Sequence, residues 1–202
     1  MSLIDTEEGL RALYGPPMEK AVLKEIDHID GHCRAWLAAA PFILLATTDG
    51  TRLDVSPKGD APGFVQVEDE ETLLIPDWPG NNRIDGLSNI VRDPQVALIA
   101  VVPNVKETLR VNGRATIHDD EDLRARFETR GKLPITVTRI AVEEVFMHCP
   151  KAFMRSGLWD AATWPERSAL PTMGEVLKDH AGLEGPPETA DAQLARSLKQ
   201  LY

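Results

Sequence analysis

Between residues 41 and 150 the chain offers strand-forming runs in close succession, with turn residues between them and little length left for helices, which excludes a doubly wound parallel sheet. The runs cover 42–48, 53–57, 64–67, 72–75, 95–102, 108–117, and 134–142 with 144–148, all rich in aliphatic and β-branched residues. Asp49-Gly50 is a strong hairpin signal, residues 58–63 form a loop and acidic residues 68–71 a turn. Six or seven strands joined this closely predict a mainly β fold with flanking helices, closed as an antiparallel barrel.

Both flanks are helical in pattern. Thr6 is placed to cap a short helix that ends at Gly15-Pro16-Pro17. From 18 to 39, Val22, Ile26, Ile29, Cys33, Trp36 and Leu37 recur at three- and four-residue steps, which predicts one amphipathic helix. His28 and His32 lie four apart on it and are expected to be surface histidines, since no third metal ligand accompanies them. Further helices are predicted over 84–91, 119–130, 173–181 and 189–201, the last presenting Leu194, Leu198 and Leu201. The chain therefore divides into an N-terminal helical segment (1–40), a barrel domain (41–150) and a C-terminal extension (151–202) packing on the barrel or on a partner.

A net charge of −10 argues against general nucleic-acid binding, which draws its affinity from phosphate neutralisation by Lys and Arg. Two cysteines, Cys33 and Cys149, are too few for a disulfide framework, and His148-Cys149 alone makes no metal site. The acidic start and the lack of a ~20-residue apolar run predict neither a signal peptide nor a membrane span, hence a cytoplasmic protein.

One stretch carries chemistry. After the strand at 72–75, Pro79-Gly80-Asn81-Asn82 is a turn, because Gly and Asn tolerate positive φ, and an amphipathic segment follows from Arg83. With Asn82 as helix cap, unpaired backbone N–H groups and the planar Arg83 fork suit an anion, most naturally a phosphate monoester.

The order of these parts resembles the FMN-binding split-barrel superfamily, also called pyridoxamine-phosphate-oxidase-like. The resemblance rests on the N-terminal helix, Asp49-Gly50, the Val55-Ser56-Pro57-Lys58-Gly59-Asp60 run, Gly80-Asn81-Asn82-Arg83, and Leu109-Arg110-Val111-Asn112-Gly113-Arg114-Ala115. It covers about 41–159 and implies an antiparallel FMN-binding split β-barrel, with FMN as cofactor of an oxidoreductase acting on a small molecule. By that likeness Asn82 and Arg83 hold the phosphate, Ser56, Lys58 and Asp77 lie along the flavin, and a cationic Lys58 raises the ring's potential. Thr108 and Arg110 fall on the ribityl-phosphate side. Relatives are usually homodimers with flavins at the interface, which makes Lys151, Arg155 and Trp159 candidates for contacts to the partner's cofactor. The namesake's Arg-x-His substrate signature does not follow Trp159; the nearest run, Arg167-Ser168-Ala169, has no His, so the namesake activity is not expected. Alternatives are a non-catalytic flavin protein of the same fold, or a split barrel holding deazaflavin or haem, for which His118 and His148 would be the candidate axial ligands.

Overall fold

The computed structural model describes residues 3–199 and 202. In chain order the elements are α1 (Glu7–Tyr14), α2 (Glu19–Leu23), α3 (Gly31–Ala39), β1 (Phe42–Thr48), β2 (Leu53–Gly59), β3 (Gln66–Val67), β4 (Thr72–Asp77), α4 (Asp85–Arg92), β5 (Asp93–Val101), β6 (Thr108–His118), α5 (Glu121–Ala125), β7 (Thr136–His148), α6 (Lys151–Ser156), α7 (Met173–Ala181) and α8 (Pro187–Ser197). The seven strands form one antiparallel sheet in the order β2-β1-β5-β6-β7-β4-β3.

The sheet curls on itself. Ile43 and Leu45 of β1 share one buried cluster with Leu98 of β5, Leu109 and Val111 of β6, Ile140 of β7, and Leu73 and Ile75 of β4, although β1 and β4 stand four places apart in the strand order. Burial of the same alternate face along each strand drives the curvature. The barrel is not closed, however: β2 and the β4–β3 pair remain free edges, so the closed barrel expected from strand spacing is corrected to an open one, the split β-barrel of the resemblance. Helix α3 covers the core with Cys33 and Leu37, and Ile29 just before it is fully buried.

The single helix predicted over 18–39 is interrupted. Ile26 leaves the helical path to exchange backbone hydrogen bonds with Val145 (3.0 and 2.7 Å), and the Asp30 carboxylate accepts from Cys33 N–H at 2.8 Å to start α3 afresh. An Asp before Gly31 competes for backbone donors, and the sheet edge supplies the bonds the helix would have made. His28 and His32 therefore do not share a helix face; His28 Nδ1 pairs with Asp27 instead.

The two strands expected over 134–148 are one, β7, and their predicted break falls on a bulge. Asn112 pairs with Glu144 and Gly113 with Val142, which leaves Glu143 as the extra residue. Helix α5 is shorter than expected, ending at Ala125, and beyond it Arg130 and Gly131 adopt left-handed conformations in a tight turn (φ 54° and 74°). In the C-terminal extension α7 and α8 pack on each other, with Gly174 N–H donating to Asp191 at 2.7 Å; Leu194 and Leu198 are described, and Leu201 lies outside the described residues. Among the described residues no helix is long and apolar enough to cross a membrane.

At the bulge a Cβ on Gly113 would stand 2.1 Å from the Ala141 carbonyl oxygen, so backbone itself would have to move. Gly113→Ala is expected to lower stability by about 1–3 kcal/mol, as overpacking does. A fall in the urea midpoint at unchanged slope is the measurement that checks it.

Candidate functional site: a cleft across the split

The edge strand β2 reverses the usual alternation. Its register sets Asp54 opposite Thr47, Ser56 opposite Leu45 and Lys58 opposite Ile43, all buried on the inner face of β1. Polar side chains therefore point inward, while Leu53 and Val55 are 82% and 58% exposed. What the inward residues meet is a cleft of about 600 Å³, within the usual range for small-molecule sites. Its walls are β2 on one side, the end of β4 and start of β7 on the other, and the turn leading into α4.

Lys58 Nζ reaches across this cleft to Asp77 Oδ1 at 2.5 Å, each side chain 20% exposed. The strands that carry them lie on opposite sides of the opening, so the pair clasps the split. Ser56 Oγ donates to Asp54 Oδ2 at 3.0 Å. The start of α4 sits over this pair, where a Cβ on Gly86 would lie 3.6 Å from Asp54 Oδ2 and from Thr47 Oγ1, and buried Asn89 anchors the helix through Thr47 Oγ1 at 3.1 Å. Lys58 lines the cleft as expected of it, but its charge is matched by Asp77 and is not a lone cation.

The turn departs from expectation. Helix α4 begins at Asp85 after Ile84, with no side-chain cap, so Asn82 is not the cap residue. Asn82 (φ 59°) and Ile84 (φ 49°) both take left-handed conformations, common for Asn but costly for a β-branched residue, on the order of 1–3 kcal/mol. Asn81 Oδ1 accepts from Arg83 N–H at 3.1 Å, closing the turn from within. The Arg83 guanidinium, 75% exposed, pairs with Asp85 Oδ2 through Nε (2.8 Å) and a terminal nitrogen (2.7 Å). An ion pair so exposed contributes at most about 1 kcal/mol, so an incoming dianion can displace it cheaply.

Two polar atoms of cleft-lining residues are buried with no hydrogen-bond partner among the described residues: Trp78 Nε1 and Thr136 Oγ1. Unpaired buried donors are expensive and mark sites completed by something else. Of the residues singled out in the sequence, Ser56, Lys58, Asp77, Asn82 and Arg83 come together here, whereas Thr108, Arg110, Lys151, Arg155 and Trp159 do not line the cleft. Arg110 lies opposite Ile99 on the outer sheet face, with its guanidinium over the Phe146 ring (5.3 Å). The Trp159 indole N–H donates to the Val105 carbonyl at 2.8 Å, and its ring stacks with Phe153 at 5.8 Å. His118 and His148 do not line the cleft either; burial, with Lys24 and Arg110 nearby, pushes the His148 pKa down. Asp54, Trp78, Thr136 and Asp85 complete the site. Asp54 was within reach of the strand period, two residues before Ser56; Thr136 was not, because only its pairing with Asp77 brings it there.

Asp77→Asn would leave the Lys58 ammonium without its counter-charge and is expected to cost about 1–3 kcal/mol, discounted for partial solvent screening. In a double-mutant cycle, Lys58→Met combined with Asp77→Asn should be less destabilised than the sum of the two. Additive losses would show that the pair does not hold the split.

Solved structures that align with the chain include HupZ of Group A Streptococcus (21% identity, 59% of this chain and 93% of that one, TM-score 0.48). A protein of Lactobacillus delbrueckii provisionally named a pyridoxamine 5'-phosphate oxidase aligns at 22% identity over 60% of this chain and 95% of that one, TM-score 0.47. General Stress Protein 26 of Bacillus anthracis aligns at 14% identity over 56% and 88%, TM-score 0.44. No curated protein matches the sequence. Residues 29–149, more than half of the chain, match the family profile described as pyridoxamine 5'-phosphate oxidase. That stretch runs from the buried Ile29 to the residue after β7 and so contains the whole split barrel with its cleft: the chain belongs to the pyridoxamine 5'-phosphate oxidase family.

Proposed function

We propose that the chain binds FMN in the cleft across the split and works as a homodimeric oxidoreductase on a small molecule. The observation that carries this reading is the reversed edge strand, whose polar residues face a ligand-sized cleft and whose apolar residues face outward. Arg83 and the turn at Asn81-Asn82 would hold the phosphate, the guanidinium exchanging Asp85 for the stronger dianion. Trp78 Nε1 and Thr136 Oγ1 fit the group as well, because each lacks a partner and the ring and ribityl chain carry acceptors. When bound, FMN supplies hydride transfer, and this chain's residues bind it, orient the substrate and limit water. The Lys58–Asp77 pair contributes a dipole at the cleft wall instead of a net charge.

The dimer is supported by the outer face of the sheet. Leu44 and Phe42 of β1 join Leu53 and Val55 of β2 as exposed apolar residues on one continuous surface, which continues through Ile99 to Arg110. A second copy over this face would bring Arg110 against the partner, which is the route by which residues outside the cleft could serve a flavin in trans.

Two measurements test these readings. The purified protein should show the two visible flavin bands with or without added FMN, and Arg83→Ala should weaken FMN binding by about ten-fold or more, the loss of a charge-assisted phosphate contact. Protein that stays colourless after FMN addition would sink the flavin reading. Separately, Val55→Asp should convert the dimer to monomer in light scattering with unchanged far-UV circular dichroism, since a buried unpaired carboxylate is costly.

A further inference from the structure

A second set of contacts spans the same split, and it comes from outside the family-matched segment. Tyr202 sets its ring edge-on to Trp78, with centroids 4.8 Å apart and planes at 79°. Its hydroxyl donates to Asp60 Oδ1 at 2.5 Å, immediately after β2, while Trp78 immediately follows β4. The tight turn between Thr129 and Lys132 completes the seat. Its left-handed Arg130 and Gly131 present the Arg130 guanidinium over the Tyr202 ring at 5.6 Å, and Lys132 Nζ donates to the Tyr202 main-chain oxygen at 2.5 Å.

We propose that Tyr202 is a positioning residue for the cleft: it bridges the edge after β2 to the edge after β4 and holds the Trp78 indole in place as the cleft wall. The residue touches no ligand-lining surface of its own and acts through Trp78. Three segments distant in sequence, at Asp60, Trp78 and Arg130, converge on this one side chain. The hydrogen bond to Asp60 pushes the phenol pKa upward. The consequence for ligand affinity rests on the flavin reading above; the consequence for Trp78 does not.

The experiment uses the full chain labelled with 5-fluorotryptophan, whose four fluorine resonances are assigned by single Trp→Phe variants. In Tyr202→Ala the Trp78 resonance should shift or broaden while those of Trp36, Trp159 and Trp164 stay in place, which also reports that the fold is intact. Tyr202→Phe keeps the ring and should restore the Trp78 signal towards that of the wild type. FMN affinity by fluorescence titration should fall about three- to ten-fold in Tyr202→Ala and by less in Tyr202→Phe. An unmoved Trp78 resonance in Tyr202→Ala, or equal FMN affinity in wild type and Tyr202→Ala, overturns the proposal. Should the wild type bind no FMN at all, the flavin reading fails and the Trp78 resonance alone decides the role of Tyr202.

Discussion

A salt bridge between Lys58 and Asp77 joins two parts of one sheet that the strand order leaves apart. Curling alone brings β2 near β4, because each strand buries the same alternate face in a shared core. It does not close the ladder, so the edges keep unpaired backbone groups and a gap stays between them. The ion pair spans that gap with side chains instead of backbone. The cleft it crosses has a volume of about 600 Å³.

The rest of the site hangs on that geometry. Because β2 borders a gap and not a packed core, its inward positions accept Asp54, Ser56 and Lys58, which a closed barrel would have to bury at high cost. Because those residues take the inner face, Leu53 and Val55 are forced outward, and the apolar surface they make calls for a cover. One choice of register thus generates both a polar cleft and an exposed apolar exterior.

Strain and unpaired groups occur at this opening as well as elsewhere in the fold. Ile84 in a left-handed conformation, the unpartnered Trp78 N–H and the unpartnered Thr136 hydroxyl all belong to residues lining the cleft. Such features cost stability and persist only where surrounding packing over-determines them, here through α4 anchored by Asn89 and β7 paired along β4 and β6. The bulge at Glu143 performs a related task in the sheet, since one extra residue lets β7 keep its buried face on both sides of a bend.

Strand content and turn positions were legible in the sequence, because propensity, periodicity and Gly/Asn turn chemistry act over a few residues. The order of parts also carried the family resemblance, and with it the split barrel. Asn82 and Arg83 could be named from local turn chemistry, and Ser56, Lys58 and Asp77 only through the resemblance. Other features were not legible. Helix α3 was hidden by a periodic pattern that ran straight through Asp27 to Gly31, until a backbone pairing with Val145 broke it. Asn82 looked like a cap, yet the helix starts at Asp85 because the left-handed Ile84 delays it. Trp78 and Thr136 became site residues, and Asp77 the partner of Lys58, only through contacts between strands far apart in the chain. The sequence by itself determined which segments are strands and where the turn at 79–83 falls, since both follow from short-range sterics and hydrogen bonding. Tertiary structure alone decided which face of β2 is inside and what closes the split, because register and edge position arise from long-range pairing that no local pattern encodes.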